Sequence, residues 1–275
     1  MIKRIVGIGI VWATLSWAQS PALSGIAHVA FRVADVAVAR AFYQKLGYEQ
    51  AFEMTRDGQT TEAFIKINDL QFIELYPRNA QPSGLMHVCY ESSDLDALHA
   101  DYVQRGLTVS DVHKAGAGNL LMTMRDSEGQ TIEYTQYMPG SRHYEDRGKH
   151  LSDKRVAQLM LGATAPARDA AAARTFYVEK LGFTDINHAI PARLRMPGDS
   201  GQELVIAAGG PDVKSGILFG VVDLKHTAEV LAGLGLTAKA TPANNPTLLT
   251  VADPDGVVIS FVKPPLPAGA PYVRR

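Results

Sequence analysis

Two histidines and two glutamates recur at a common spacing. His28 and Glu74 are 46 residues apart, His87 and Glu133 the same 46, and the second pair follows the first at an offset of 59. Imidazole nitrogen and carboxylate oxygen together suit divalent first-row metals, so the four make a candidate site for Zn, Ni, Co, Mn or Fe(II). Four protein ligands in an octahedral site leave two positions open for adjacent substrate oxygens. If a single glutamate binds, the two histidines complete a 2-His-1-carboxylate facial triad instead. Each glutamate interrupts an apolar run, Phe72-Ile-Glu-Leu and Thr131-Ile-Glu-Tyr, where an unpaired buried carboxylate is costly. Arg32 and Arg125 are the alternative charge partners.

The elements around these residues repeat with them. His28 lies in an apolar strand opened by Gly25, and Asp35 to Leu46 follows as a helix with Asp35 as N-cap and Gly47 as its stop. Strands are expected at Tyr48–Thr55, Glu62–Ile67 and Gln71–Tyr76, separated by Asp57-Gly58 and Asn68-Asp69 turns. The order βαβββ then recurs: a strand from Leu85 to Tyr90, a helix from Ser93 to Arg105, and strands at Thr108–His113, Asn119–Arg125 and Thr131–Tyr137. Side chains alternate along a strand, so a histidine on a first strand and a glutamate on a last one can face one concave surface.

A second copy of this pair of modules occupies about 155–264. Arg40-Ala-Phe-Tyr recurs as Arg174-Thr-Phe-Tyr, and Lys45-Leu-Gly-Tyr as Lys180-Leu-Gly-Phe after one inserted residue. Asp126-Ser-Glu-Gly recurs as Asp253-Pro-Asp-Gly. The four candidate ligands do not recur: His28 maps to Gly162, His87 to Gly216, Glu133 to Ser260, and Glu74 to Val205 or Ile206. One active half and one supporting half are expected. The polar stretch 138–154 between them reads as a solvated linker, although His143, Tyr144 and His150 are within reach of the site.

A composition of 46% hydrophobic and 20% charged residues, with formal net charge −1, describes a globular chain with no global field toward nucleic acid or anionic lipid. Lys3 and Arg4 precede an uncharged run from Ile5 to Trp17, and Ser16-Trp17-Ala18 has the small residues of a cleavage site. Residues 1–18 therefore read as a secretory signal peptide, too short to span a bilayer, and the mature chain as an exported, periplasmic protein without a membrane segment. Cys89 is the single cysteine, so no intrachain disulfide forms, and its apolar run marks it as a small core residue. No phosphate-binding loop, Gly-x-Ser-x-Gly elbow or dinucleotide fingerprint is present, and Gly116-Ala-Gly118 and Gly209-Gly210 read as turns.

The local runs His28-Val-Ala-Phe, Phe72-Ile-Glu-Leu, His87-Val and Asp126-Ser-Glu-Gly-Gln-Thr-Ile-Glu133 resemble the vicinal oxygen chelate superfamily of glyoxalases, extradiol dioxygenases and bleomycin-resistance proteins. The resemblance implies an α+β fold of four βαβββ modules paired into two domains, a metal-binding one at 25–137 and a degenerate one at 155–264, followed by a tail at 265–275. It places His28, Glu74, His87 and Glu133 on the four ligand positions of glyoxalase-like members, with Glu133 as the catalytic base. Substrate-facing strand positions are then Arg32, Tyr76, Cys89, Thr135 and Tyr137.

Three functions follow as expectations. The first is a metal-dependent lyase or isomerase acting on a small molecule with vicinal oxygens. The second is an Fe(II) ring-cleaving dioxygenase, although two-domain dioxygenases of this superfamily hold their metal in the C-terminal half. The third is a small-molecule binding protein without catalysis. The four modules can pair within one chain or across a homodimer.

Overall fold

Each of the four modules opens its helix the same way. Asp35, Asp94, Asp169 and Asp223 are the N-caps, and their carboxylates accept from backbone N–H groups two or three residues on. Such a cap contributes about 1 kcal/mol. Each helix is followed by a glycine in the left-handed region, Gly47, Gly106, Gly182 and Gly235, where a side chain would be strained. In a computed structural model that describes residues 23–210 and 213–264, these helices alternate with two eight-stranded sheets, an α+β architecture. The expected signal peptide (1–18) and C-terminal tail (265–275) lie outside the described residues. No described helix is long and apolar enough to cross a membrane.

The first sheet comprises β1 (Leu23–Val33), β2 (Glu49–Arg56), β3 (Gln59–Lys66), β4 (Phe72–Pro77), β5 (Gly84–Ser92), β6 (His113–Lys114), β7 (Leu120–Arg125) and β8 (Thr131–Gln136). Its order is β2-β3-β4-β1-β5-β8-β7-β6, so the first strands of the two modules, β1 and β5, lie side by side at the centre. They pair antiparallel, whereas β1–β4 and β5–β8 pair parallel. Helices α1 (Val36–Lys45) and α2 (Leu95–Gln104) bury Ala39, Tyr43, Leu95, Leu98 and Tyr102. The strand expected at Thr108–His113 is reduced to β6 and one bridge from Val109 to Met124. At Ser110 the side-chain hydroxyl, rather than the next backbone group, takes Thr123 N, and the ladder breaks off there.

The second sheet repeats the order with β9 (Leu159–Ala167), β10 (Thr184–Asp185), β11 (Ala192–Arg195), β12 (Glu203–Ala208), β13 (Gly216–Gly220), β14 (Lys239–Thr241), β15 (Leu248–Ala252) and β16 (Val258–Val262). The inserted residue near Lys180 does not disturb the strands. The helix at Ala170–Thr175 continues as a π-helical turn over Phe176–Lys180, which absorbs one extra residue within the rod.

The halves meet through equivalent residues used twice. Tyr43 donates its hydroxyl to Asp253 (3.2 Å), and Tyr177 donates to Asp126 (3.3 Å). Tyr48 stacks on Phe219, and Phe183 sets its edge against Tyr90, both at 5.6 Å between ring centres. Gln71 donates to Ile26 O and Met160 O, and Gln202 accepts from Ile26 N while donating to Met160 O. The second half thus braces β1 two residues from His28.

The connector between the sheets is not a solvated linker. Its helical turn α3 (Arg142–Glu145) buries His143, with Ser141 capping Tyr144 N. Tyr137 donates to Leu70 O, Arg142 to Glu53 O, and Gly148 N to Asp69. Lys66, fully buried, donates to the Asp146 carboxylate at 2.7 Å and to Asp69 at 2.9 Å. Composition pointed to solvent because the segment is polar; its polar groups are instead spent on the edge of the first sheet.

Candidate metal centre

Strand register brings the four residues together. Ala30 on β1 faces Glu74 on β4 and His87 on β5, while His28 faces Cys89, which faces Glu133 on β8. The antiparallel pairing of β1 with β5 sets the two histidines side by side at the centre, and the parallel pairings bring Glu74 and Glu133 in from the flanking strands β4 and β8. His28 Nε2 lies 3.0 Å from His87 Nε2 and 3.1 Å from Glu133 Oε1, and His28 Nδ1 lies 3.1 Å from Glu74 Oε1. His87 Nε2 is 3.7 Å from both Glu74 Oε2 and Glu133 Oε2. His28, Glu74 and His87 offer ligand atoms that lie mutually within 4.8 Å, as do His28, Cys89 and Glu133.

The protonation of this cluster follows from its geometry. Two imidazole nitrogens at 3.0 Å hold a hydrogen between them. Burial works against a charge on His28, but the Glu74 and Glu133 carboxylates outweigh it and raise the imidazole to about 9. Burial likewise pushes Glu74 up, yet the charges and hydrogen bonds of His28 and His87 hold it at about 2. One imidazolium thus faces two buried carboxylates, and among the described residues no lysine or arginine lines the cavity above them. A divalent cation in place of the shared proton would balance both carboxylates, and two neutral nitrogens with two anionic oxygens are a suitable donor set. The residues present fit a metal.

A metal must then displace a proton. Metal affinity is expected to rise roughly tenfold per pH unit from about 7 to about 9 and to flatten above the His28 value. Calorimetry in buffers of different ionisation heat should register about one proton released per metal near neutral pH. Affinity independent of pH over that range would contradict a protonated His28.

The centre forms the floor of a cavity of about 160 Å³ lined by Glu62, Phe64, Tyr76, Leu121, Thr135, Tyr137 and His143, with the Ala115–Asn119 turn as one wall. Of the expected substrate-facing residues, Tyr76, Thr135 and Tyr137 line it. Arg32 is half-buried and does not, and Cys89 is not in the lining but is buried beside His28 and Glu133, its thiol pushed up by burial and the carboxylates. Arg125 bonds Gly129 O and Thr131 Oγ1 and touches neither glutamate.

Two titratable residues join the lining: one that the sequence does not single out, and one that it places only within reach. Glu62 on β3 contacts the Tyr76 hydroxyl, which is also 3.2 Å from Glu74 Oε2. Burial, and then the charge of Glu74, push Glu62 to about 8, so it carries a proton at neutral pH. Its alternation with Phe64 put it on the same face as the site, a signal present in the sequence but shared by many strand glutamates. The other is His143, delivered by the connector.

Register also shows which residues of the second half stand at the four positions. Thr164 faces Val205 and Gly216, and Leu218 faces Gly162 and Ser260, so Val205, not Ile206, takes the place of Glu74. At Gly162 a Cβ would stand 2.4 Å from Glu203 O, and at Gly216 2.6 Å from Val258 O. Backbone has closed in where the first half carries its histidines.

Comparison with known proteins places this geometry. Residues 27–123 match the Glyoxalase/Bleomycin resistance protein/Dioxygenase superfamily model. No curated protein sequence matches the chain. Among solved structures, an Mn(II)-bound glyoxalase from Novosphingobium aromaticivorans is 16% identical with a TM-score of 0.67, covering 88% of this chain and 83% of its own. A 2,3-dioxygenase from Pseudomonas sp. KL28 is 15% identical with a TM-score of 0.67, covering 90% and 96%. A variant of homoprotocatechuate 2,3-dioxygenase from Brevibacterium fuscum is 17% identical with a TM-score of 0.63, covering 93% and 76%. At these identities the likeness is one of fold. The family-model match thus covers residues 27–123, and the described chain shares the two-sheet fold of these structures.

Proposed function

We propose that the first half is a metal-dependent lyase or isomerase acting on a small, uncharged molecule with vicinal oxygens. The observation that carries this reading is the convergence of two histidines and two glutamates beside one cavity, with His28, Glu74 and Glu133 in its lining. His28, His87, Glu74 and Glu133 would hold Zn, Ni, Co, Mn or Fe(II). Such an ion supplies Lewis-acid polarisation of a carbonyl or enediolate.

The chain's own groups divide the remaining work. Glu133 is the base that moves a proton on the carbon beside the carbonyl. Its side chain is 12% exposed toward the cavity, against 3% for Glu74. The cavity volume is close to that of a benzene-sized site. Among the described residues its lining holds no lysine or arginine to partner a phosphate or a carboxylate tail. Substrates of three to about seven carbons without charge fit; a glutathione adduct does not.

The test is solvent exchange. Protein loaded separately with each metal is given hydroxyacetone in D₂O, and NMR follows loss of the proton signals beside the carbonyl. Metal-dependent exchange, lost in Glu133→Gln with metal retained, is the expected result. The ring-sized cavity with Phe64, Tyr76 and Tyr137 in its walls favours a second reading, an Fe(II) dioxygenase acting on a catechol. Oxygen uptake with catechol and no exchange with the ketone would replace the first reading with the second.

A further inference from the structure

His143 is carried into the cavity wall by the connector and is 4% exposed. Its ring meets Phe72, Phe52 and Phe64 edge to face at 4.7, 5.0 and 5.2 Å, and Tyr137 lies tilted against it at 5.3 Å. Both ring nitrogens are therefore buried in an aromatic box, and each has to be accounted for.

Nδ1 is settled by Asn119. The Asn119 side chain is itself buried, and its Oδ1 accepts from Met138 N at 3.2 Å. That bond fixes which way the amide faces, so Nδ2 is the group 2.9 Å from His143 Nδ1. An amide nitrogen donates, so Nδ1 accepts, and the neutral ring carries its hydrogen on Nε2. Burial lowers this imidazole to about 4, in keeping with the neutral form. Nε2 has no hydrogen-bond partner among the described residues. A buried donor left unpaired is destabilising, a cost that a ligand oxygen removes.

The hydroxyl groups of the lining are committed. Thr135 gives its hydroxyl to Leu120 O, Tyr137 to Leu70 O, and Tyr76 lies between Glu62 and Glu74. We propose that the Nε2–H of His143 is the neutral donor that binds a carbonyl or phenolate oxygen of the substrate, held in that tautomer by Asn119. This rests on the reading of the cavity as a substrate site and assigns the connector a part in recognition.

The probe is 4-nitrocatechol, a chromophoric vicinal-oxygen chelator, titrated into metal-loaded protein, with metal content measured on every sample. His143→Phe fills the aromatic box and removes the donor. It should keep the metal and weaken the probe about tenfold, the worth of one hydrogen bond near 1.4 kcal/mol. His143→Gln, which retains an N–H, should recover part of that loss. In ¹⁵N NMR the free protein should show the Nε2-protonated neutral ring between pH 5.5 and 8, with the Nε2 signal moving when the probe binds. Probe affinity unchanged in His143→Phe, or an Nε2 signal unmoved by the probe, would overturn the inference while the metal site stood. Wild-type protein that takes up no metal would overturn the reading of the site, and this inference with it.

Discussion

His28→Gln/His87→Gln will bind no stoichiometric metal and will lose at least roughly a thousandfold of any metal-dependent turnover, while its circular dichroism stays that of the wild type. Glutamine approximates imidazole in length and leaves N–H donors for Glu74 and Glu133, so the two carboxylates keep hydrogen-bond partners at positions only 3–4% exposed. An amide is a poor ligand for first-row metals, and half of the donor set is gone. The electrostatics change as well. Glu74 is held at about 2 against its burial by the two imidazoles, and without them it moves up toward or beyond the ordinary carboxylate range. The vacant pair of carboxylates then takes up protons rather than a cation. Elemental analysis of the purified variant beside wild type is the check; metal retained at one per chain would mean that other residues bind it.

The second large effect concerns stability. Asp146→Ala is expected to destabilise the fold by about 3 kcal/mol, because a fully buried Lys66 ammonium loses its main partner. Asp69, whose side chain is 42% exposed, and the Asp146 carbonyl remain, which keeps the cost from being larger. The same carboxylate accepts from His150 at 2.5 Å, so the far end of the connector loosens with it. Lys66→Met/Asp146→Leu should recover most of the loss, since a well-packed apolar pair avoids burying a lone charge. Thermal melts of the three variants read both effects. An Asp146→Ala melt within a degree of wild type would show that the connector is not anchored there.

Much of this architecture is legible in the sequence. The offset of 59 residues between the two His–Glu pairs marked the repeat, and the same offset is what the pairing of β1 with β5 and of each with its own parallel partner requires. Asp35 and Gly47 bounded the first helix correctly because caps act locally, through hydrogen bonds two or three residues away. The choice between Val205 and Ile206 was not legible, because a one-residue gap in an apolar run leaves no mark that only register can read.

What the sequence hid was tertiary. The connector is polar throughout, and nothing local distinguishes a histidine in solvent from one in a box of Phe52, Phe64, Phe72 and Tyr137, which come from three strands and the connector's own start. Lys66 is the same case in reverse: a lysine in a strand reads as a solvent-facing end, and its burial depends on Asp146, 80 residues away. Glu62 looked like an ordinary strand glutamate until β3 paired with β4 and brought it beside Glu74 and Tyr76.

X-ray absorption spectroscopy on zinc-reconstituted protein tests the metal centre most directly. The expected result is a first shell of nitrogen and oxygen only, at about 2.0–2.2 Å, with the multiple-scattering signature of two imidazoles. A scatterer at about 2.3 Å would place Cys89 in the shell, and a shell of oxygen without imidazole would contradict the assignment of His28 and His87.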